Sequence, residues 1–327
     1  MVVDKSVLPR VSVVLPTYRR VDMLQRAIGT VTAQTFQQWE LIIVDDNGAG
    51  HPLQLETAAA LERHRDDPRI VYRVHEHNQG GGAARNTGIE HAHAEYVAFL
   101  DDDDAWYPQK LEWQLDCFER SPAEVGLVYG GFRSVKADGS VRLRTPDSRG
   151  HTVSQLLRRN TIGTTSLVMC RRSALEAIGG FDPRLRSRQD LDLFVRLAQR
   201  YRFAYVDELL LDKFQHDADA IGKNQDGIVD AHRHFYDKYR EAYEQDPVAH
   251  HAFLHRYGEE VLRAGHVREA RRLLTRAWRL RPQAWRSLVL AGLAHRPILS
   301  AYRSVREALG LRRKTRAPVG DEPAEPV

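Results

Sequence analysis

The sequence of 327 residues predicts an α/β fold, with helices flanking a mostly parallel sheet and a helical extension at the C-terminal end. In about the first hundred residues, short apolar runs alternate with segments of helical periodicity, which is the order expected of βαβ units. Most of these runs are apolar throughout, as in strands that helices cover on both faces. From about Asp226 onward, the sequence shows mainly helical patterns.

The predicted elements follow this alternation. The strands of the first half are expected at Val11–Leu15, Leu41–Val44, Ile70–Val74 and Tyr96–Leu100, and its helices at Val21–Thr32, Leu53–Arg65 and Ala83–His93. A looser second half is expected to contain an extended segment, a hairpin-like stretch, another extended segment and a helix, at Leu127–Tyr129, Ala137–Gly150, Ser166–Cys170 and Asp190–Arg200. Ligand chemistry in such a sheet belongs at the carboxyl ends of the strands.

Three regions are expected along the chain: a first domain over residues 1–225, a helical region over residues 226–311 and a disordered tail over residues 312–327. At least three tetratricopeptide units are normally needed to bury a shared core. The helical region has only one window with that spacing, so a helix pair is expected that docks either on the first domain or on helices over Ala284–Leu309. The window consists of Leu254, Tyr257, Gly258, Gly265, Ala270, Leu274, Ala277 and Pro282.

The composition favours a cytoplasmic protein with no nucleic-acid partner. The 48 basic and 44 acidic residues leave a formal net charge of +4, and acids at strand ends would repel nucleic-acid phosphates unless a metal ion were present. Cys117 and Cys170 lack the spacing of a disulfide framework or a zinc site. There is no signal-peptide pattern, and no apolar run approaches about eighteen residues. The basic helices from Arg263 to Arg313 would suit peripheral contact with an anionic membrane at its inner face; a solvated arginine-rich face is the alternative.

Four consecutive carboxylates, Asp101 to Asp104, come directly after the fourth predicted strand. Capping the helix expected after Pro108 would need only one of them and leaves three unexplained. Carboxylate oxygens at a strand end suit Mg²⁺ or Mn²⁺ that also binds phosphate oxygens. Because residues two apart in an extended segment project to the same side, Asp101 and Asp103 are predicted to face one metal ion.

Polar residues also follow the first two predicted strands, at Pro16-Thr17-Tyr18 and at Asp45-Asp46. The three strand ends are expected to converge on one edge of the sheet. A carboxylate there can accept a hydrogen bond from N3–H of uracil, and Tyr18 can stack on the base. The alternative is that the Asp-Asn-Gly sequence is an ordinary turn.

A glycine-rich segment over residues 78–88 looks like a phosphate loop, although it fits neither of the common phosphate-binding motifs. Its glycines would let the backbone approach a nucleotide, with Arg85 and Asn86 beside it. Arg85 would compensate the charge of a diphosphate, and the N-terminus of the next helix would assist. The alternative is a glycine-rich connection before a helix.

The chain resembles the family 2 glycosyltransferases of GT-A fold in five segments, which occur in this order: VSVVLPTYRR, ELIIVDDNG, NQGGGAARNTGI, YVAFLDDDDAWYPQKL and GGFDPRLRSRQDLDLFVRL. The resemblance covers about Val11 to His216. It implies an inverting enzyme that moves one sugar from a nucleoside-diphosphate sugar, with uridine expected, to a hydroxyl of a glycan or lipid-linked acceptor. It also implies a divalent cation, Mn²⁺ or Mg²⁺, which Asp101 and Asp103 hold on the diphosphate.

The resemblance further implies roles for single residues. Asp190 would be the catalytic base, although Gln189 stands where the family usually has glutamate; the alternative is that Asp190 caps its helix. His216 occupies the place where the family often has a histidine near the metal or phosphate. The residues expected at the nucleotide, with Asp46 or Asp45 facing uracil, are Pro16, Thr17, Tyr18, Asp45, Asp46, Arg85, Asn86 and Asp102.

Two other functions fit the sequence less well. A sugar-1-phosphate nucleotidyltransferase resembles this fold, but its glycine-rich opening is replaced here by Pro16 to Arg20. A non-catalytic sugar-nucleotide-binding or adaptor protein would use the tetratricopeptide-like helices for partners, yet it would not need both the acidic run and Asp190. A QxxRW motif, which resembles the signature of processive synthases, does not occur, so addition of single sugars is expected.

Overall fold

The structure, a computed structural model, describes residues 8–146, 152–215 and 225–293. Its strands are β1 (Val11–Thr17), β2 (Trp39–Asp45), β3 (Ile70–Val74), β4 (Tyr96–Phe99), β5 (Asp104–Trp106), β6 (Val125–Lys136), β7 (Val141–Arg144), β8 (Met169–Arg171) and β9 (Arg202–Gln215). Its helices are α1 (Val21–Thr32), α2 (Pro52–Leu61), α3 (Gly81–Glu90), α4 (Lys110–Glu119), α5 (Val153–Arg158), α6 (Arg172–Ala177), α7 (Gln189–Ala198), α8 (Gln225–Lys238), α9 (Arg240–Gln245), α10 (Pro247–Arg263), α11 (Val267–Leu280) and α12 (Trp285–Leu293).

The described strands form one sheet in the order β3-β2-β1-β4-β8-β6-β9-β5, with β7 paired to β6. The first four strands in this order are parallel, and β1 and β2 run in register to their ends, where Thr17 lies opposite Asp45. The other half mixes parallel and antiparallel pairs, because β8 lies antiparallel to both β4 and β6. The predicted α/β fold with a sheet flanked by helices is confirmed, and the parallel half carries the three predicted strand ends.

The apolar runs of the sequence form the core. All residues of β2 and β4 are buried, and α1 buries one stripe made of Leu24, Ala27, Ile28 and Val31. Helix α3 packs on β1 and β2. A Cβ atom at Gly88 would overlap the Val14 side chain, so glycine is what lets α3 approach the sheet this closely.

The predicted boundaries change at several elements. The helix expected over Leu53–Arg65 ends earlier and continues as a short 3₁₀ helix, Glu62–His64. Helix α3 begins two residues before the predicted start. The extended segment expected at Ser166–Cys170 divides into a 3₁₀ turn, Thr165–Leu167, and β8. Strand β9 was not predicted, because its partners β6 and β5 are distant in sequence and its own pattern is irregular.

The chain divides between Phe253 and Leu254 into two compact units. In the second, α11 buries Ala270, Leu274 and Ala277, and Gly258 of α10 lies against Leu274. The single tetratricopeptide-like window thus forms a helix pair, followed by α12. No described helix combines the length and apolar character needed to cross a membrane. The predicted tail, residues 312–327, lies outside the described residues.

Candidate active site

The loops after β1 and β4 meet at Asp102. Its Oδ2 atom accepts hydrogen bonds from the Thr17 hydroxyl, at 3.0 Å, and from the Tyr18 amide, at 3.3 Å. Its Oδ1 atom lies 3.2 Å from Nη1 of Arg20. Burial raises the pKa of Asp102 to about 6, although Arg20 opposes this effect. Asp102 therefore joins two strand ends, and its carboxylate is directed into the protein.

The carboxylates of the other three acids of the run lie close together. Asp101, Asp103 and Asp104 each place a carboxylate oxygen within 4.8 Å of the others. Asp101 is paired with Nη2 of Arg85, at 2.5 Å, and Asp103 with Nη1 of Arg20, at 2.6 Å. The sequence predicted that Asp101 and Asp103 would lie together. The structure adds Asp104, which starts β5 and is turned inward by pairing with β9.

Asp104 is fully buried, and neither of its carboxylate oxygens accepts a hydrogen bond within 3.5 Å from the described part of the chain. Burial raises its pKa to about 7, and the nearest opposite charge is Nζ of Lys213, at 3.7 Å. A buried carboxylate without donors is costly unless a cation neutralises it. Three carboxylates around this point are hard oxygen ligands of the kind that Mg²⁺ and Mn²⁺ bind. The residues present therefore fit a divalent cation.

Lys213, on β9, is a further basic residue at these acids, beside Arg20 and Arg85. It was not expected from the sequence, because β9 was not predicted. Burial acts against its charge, but Asp104, Asp101, Asp103 and Asp190 together raise its pKa. It therefore balances part of the negative charge of the site. His216, the third predicted metal ligand, follows three residues later and lies outside the described residues.

The two acids at the end of β2 are buried and already hydrogen-bonded. Asp45 accepts from the amide and side chain of Asn47, at 2.9 and 2.8 Å, and from the Tyr72 hydroxyl, at 2.6 Å. Asp46 accepts from His75 Nδ1 and from Asn78 Nδ2, each at 2.8 Å, and also from the next two backbone amides of the loop after Asn78. Asp46 thus organises the start of the glycine-rich loop. The predicted contact of either acid with uracil stays a prediction.

The loop after β1 places an aromatic ring at the surface of the site. Tyr18 is 41% exposed, and the Arg19 guanidinium lies 5.2 Å from its ring centre. The Arg19 backbone has φ +63°, and its amide donates to Asn47 Oδ1 at 3.0 Å. Pro16 is half-buried at the end of β1. An exposed ring beside two strand ends can stack on a base.

Helix α3, at the end of the glycine-rich loop, contributes two side chains with different positions. Arg85 lies inside the site, where Nη2 binds Asp101 and Nη1 lies 3.2 Å from Oε1 of Gln189. Asn86 instead exchanges two hydrogen bonds with the backbone of Phe181, at 2.8 and 2.7 Å. Arg85 thus links the acid run to α7, and it also donates to the Gly81 carbonyl at 3.1 Å. The contacts of Asn86 hold the loop before α7.

Asp190 lies in the first turn of α7, beside the Arg85–Gln189 contact. The N-cap position is Arg188, which makes no side-chain capping hydrogen bond, and Asp190 lies within the helix, so the capping alternative for Asp190 is wrong. Its Oδ2 atom accepts a hydrogen bond from Asn160 Nδ2, at 2.8 Å, and its Oδ1 atom accepts from the Leu191 amide, at 2.7 Å. Burial raises the pKa of Asp190, although positive charges nearby oppose this. A raised pKa and a fixed orientation suit a general base.

The sequence reasoning missed Asn160, which approaches Asp190 from the loop after α5. It also missed Thr165, whose hydroxyl lies 3.4 Å from Oδ1 of Asp101. No local motif distinguishes either residue. The packing of the second half of the sheet brings both residues to the site. Hydrophobic periodicity in the sequence does not predict this packing.

Comparison with known proteins gives a family match that covers the acid run and the glycine-rich loop but ends before Asp190. The family model described as "Glycosyl transferase family 2" matches residues 12–179. The putative teichuronic acid biosynthesis glycosyltransferase TuaG of Bacillus subtilis is 34% identical over 205 residues, which are 60% of this chain and 75% of TuaG. WfgD of Escherichia coli, named a UDP-Glc:α-D-GlcNAc-diphosphoundecaprenol β-1,3-glucosyltransferase, is 29% identical over 161 residues, 49% of this chain and 60% of WfgD.

Other relatives are much longer than this chain. An uncharacterised glycosyltransferase of Rickettsia conorii is 32% identical over 211 residues, which are 62% of this chain but only 33% of that protein. The chain therefore aligns with about a third of that relative's length.

Two solved structures share the fold at low sequence identity. S. aureus TarS 1–349, in complex with UDP-GlcNAc, has a TM-score of 0.60 and 16% identity, covering 95% of each chain. The mannosyltransferase PcManGT from Pyrobaculum calidifontis, in complex with GDP-Man and Mn²⁺, has a TM-score of 0.56 and 19% identity, covering 94% of this chain and 81% of that one.

Proposed function

The chain belongs to glycosyl transferase family 2, and from this membership we propose that it is an inverting enzyme that transfers a single sugar from a nucleoside-diphosphate sugar to an acceptor hydroxyl. The observation that carries the proposal is the chain of contacts from the acid cluster to the base. Asp101 binds Arg85, and Arg85 contacts Gln189, the residue before Asp190. A group held at the acids and an acceptor at Asp190 would therefore lie beside each other.

In the proposed reaction, Asp190 is the general base. The acceptor oxygen forms a bond to the anomeric carbon while the bond from that carbon to the diphosphate oxygen breaks. The hydroxyl proton passes to the Asp190 carboxylate, which the hydrogen bond from Asn160 holds in one orientation. One displacement on the face opposite the leaving group inverts the anomeric configuration. A base positioned in this way typically contributes about 10² to 10⁴ in rate.

The acid cluster is the proposed binding site of a divalent cation, held by Asp101, Asp103 and Asp104, with His216 as a further expected ligand. When bound, Mn²⁺ or Mg²⁺ supplies positive charge that stabilises the departing diphosphate. The donor set of three carboxylates supports this assignment, since one of them is buried and accepts no hydrogen bond within 3.5 Å from the described residues. A structural neighbour is named as a complex with Mn²⁺, which agrees with it.

We propose a uridine nucleotide as the donor, since TarS is described in complex with UDP-GlcNAc and WfgD is named as using UDP-Glc. PcManGT is described with GDP-Man, so a guanosine donor is the alternative. The base would stack on Tyr18, between Pro16-Thr17 and the loop after β2, with Asp46 or Asp45 near the ring. Arg85, Asn86 and Asp102 are proposed either to bind the diphosphate of the donor or to hold the loops that surround this diphosphate.

We propose that the acceptor is a glycan or a lipid-linked molecule. The enzyme is proposed to act in the cytoplasm and to make peripheral contact with an anionic membrane surface. The name of WfgD specifies a diphosphoundecaprenol acceptor. Helix α11 supports a membrane contact, because its buried stripe leaves basic residues on the outer face. The exposed arginines of this face are Arg268, Arg271, Arg272, Arg276 and Arg279. Each basic residue near an anionic surface contributes roughly 1 kcal/mol, and absence of binding to phosphatidylserine vesicles at low salt would contradict this part.

The function is tested with purified full-length protein. Thermal unfolding is measured with UDP, GDP, UDP-glucose, UDP-GlcNAc and GDP-mannose, each with and without Mn²⁺. Binding to the native state raises the melting temperature, so a Mn²⁺-dependent rise with one nucleoside series is expected. Donor hydrolysis in the same samples separates an enzyme from a sugar-nucleotide-binding adaptor. A folded protein that shows no shift and no hydrolysis with any donor would contradict the proposed function.

A further inference from the structure

The first turn of α7, which carries Asp190, is held by side chains from α8 and from the first half of α10. We propose that three of these, His232, Phe235 and Phe253, form a clamp on Arg188, and that Arg188 is a positioning residue for Asp190. The inference rests on the proposed function, because positioning matters to catalysis only if Asp190 is the base.

The backbone of Arg188 fixes where α7 begins. Arg188 has φ +63° and ψ +18°, a left-handed conformation that is unfavourable for a residue with a Cβ atom. Such a conformation persists where the surrounding structure imposes it. The carbonyl of Arg188 accepts the Asp192 amide at 3.0 Å, which closes the first turn of the helix. The position of Arg188 therefore sets the position of Asp190, two residues later.

The side chain of Arg188 enters the clamp. Its Nη2 atom donates to Nε2 of His232, whose Nδ1 lies 2.8 Å from the Ile228 carbonyl and donates to it. That tautomer leaves Nε2 as an acceptor for Arg188. The guanidinium carbon lies 5.7 Å from the ring centre of Phe235 and 5.6 Å from that of Phe253. Both rings are buried, and a cation over desolvated aromatic rings is held more strongly than one at the surface.

A second contact holds the other side of the same turn. Asp192 is fully buried and pairs with Nζ of Lys238, at 2.6 Å, and with the hydroxyl of Tyr239, at 2.8 Å. Lys238 also reaches Asp182, in the loop before α7, at 2.8 Å. The helix is thus fixed two residues before and two residues after Asp190. These contacts lie beyond residue 179, where the family-model match ends.

The test compares Arg188→Met with Arg188→Lys, and uses Arg200→Met as the matched control. Met keeps most of the aliphatic length but removes the guanidinium, and Lys keeps a cation over the two rings. Arg200 lies just beyond the other end of α7 and donates to the Ala177 carbonyl. Hydrogen exchange of the Asp192 amide, measured by mass spectrometry without any donor, is expected to accelerate in Arg188→Met and to be unchanged in Arg200→Met. Unchanged exchange in Arg188→Met would overturn the clamp.

Hydrolysis of UDP-glucose, UDP-GlcNAc and GDP-mannose with Mn²⁺ then tests the catalytic consequence. We expect Arg188→Met to lower kcat by about 10²-fold, the scale of a 1 Å displacement of a catalytic group. Donor KM and the thermal shift with UDP and Mn²⁺ should not change, and Arg188→Lys should recover part of kcat. Faster exchange with an unchanged kcat would overturn the positioning role.

The test also covers a variant that does not fold and an unaltered protein that hydrolyses no donor. If Arg188→Met does not fold, Phe235→Leu removes one ring of the clamp while leaving Arg188 in place, and the same exchange and kcat changes are expected at smaller size. If the unaltered protein hydrolyses none of the three donors, the proposed function fails, and with it the positioning role. The exchange data are independent of that result, so a failed clamp and a failed function are distinguishable.

Discussion

Asn160 holds the carboxylate of Asp190 in one orientation, with 2.8 Å between the Asn160 Nδ2 and Asp190 Oδ2 atoms. The carbonyl oxygen of the same Asn160 side chain accepts the backbone amides of Ile162, at 3.1 Å, and Gly163, at 2.9 Å. The loop therefore fixes the amide, and the amide fixes the acid. Because the donated hydrogen bond favours the charged carboxylate, it opposes the burial that raises the pKa of Asp190.

Asn160→Asp is expected to raise the pKa of Asp190 and to reduce transfer at neutral pH. The variant keeps an oxygen for the two loop amides but replaces the donor by a like charge. Since the base must be ionised to accept a proton, a higher pKa moves the acid limb of kcat against pH to higher pH. The pH profile of kcat measures this shift. Gln199→Glu adds the same charge just beyond the end of α7 and should leave the profile in place; an unmoved profile in Asn160→Asp would remove Asn160 from the mechanism.

Asp190→Asn is expected to lower kcat by about 10² to 10⁴, because the amide cannot accept the hydroxyl proton. The amide still fits the position next to Asn160, so the fold and donor binding should remain. The measurements are kcat for donor turnover and the thermal shift with UDP and Mn²⁺. Full turnover by this variant would contradict the assignment of Asp190 as the base.

The sequence predicted the parts of the site that lie where local apolar runs end. Asp101, Asp103 and Thr17 follow strands whose continuous burial is visible as unbroken apolar residues, so their meeting at one edge follows from the rules of parallel sheets. The direction of each side chain within the turn does not follow. Asp102 points inward to Thr17, and Asp104 is buried by a strand pairing between β5 and β9 that no local pattern encodes.

Residues that come from distant segments were not predictable in the same way. Lys213 enters the acid cluster from β9, and Asn160 reaches Asp190 from a loop with no repeating pattern. Arg85 was expected to face a diphosphate, and in the structure it binds Asp101 and contacts Gln189. The positions of Lys213 and Asn160, and the contact of Arg85 with Gln189, depend on the packing of the second half of the domain, which local periodicity does not determine.

Asp104→Asn is expected to stabilise the metal-free protein at pH 8 and to reduce its stabilisation by Mn²⁺. The folded-state pKa of Asp104, about 7, is raised by burial above the usual value of 3.8, so ionising Asp104 costs stability as the pH rises between these values. Asn removes that cost. A gain of about 1 kcal/mol corresponds to roughly 2–4 °C in Tm for a domain of this size. Thermal unfolding at pH 8, with and without Mn²⁺, measures both effects.

Asp101→Asn is the matched control for this experiment. Its neighbour Arg85 lowers the pKa of Asp101, whereas the pKa of Asp104 is raised, so the expected change in stability has the opposite sign. Burial acts to raise the pKa of Asp101, but Arg85 and Lys213 outweigh burial and hold it below its usual value. Its ionised form therefore contributes stability at pH 8, and the variant should lose stability without metal. Equal destabilisation by both substitutions would contradict the view that Asp104 is a buried charge which Lys213 compensates only in part.

Gly88→Ala is expected to destabilise the protein by about 1–3 kcal/mol, the usual cost of overpacking a core. The new methyl group would overlap the Val14 side chain, which is fully buried in β1, and α3 would have to move away from the sheet. Gly29→Ala is the matched control, because a Cβ at that position in α1 meets no atom within 4 Å. Alanine there should stabilise the helix by roughly 0.5–1 kcal/mol.

Urea unfolding of both variants measures the difference in stability. Because α3 carries Arg85, Gly88→Ala should also weaken the Mn²⁺-dependent thermal shift with UDP. If Gly88→Ala were as stable as Gly29→Ala, the close packing of α3 on β1 would be wrong.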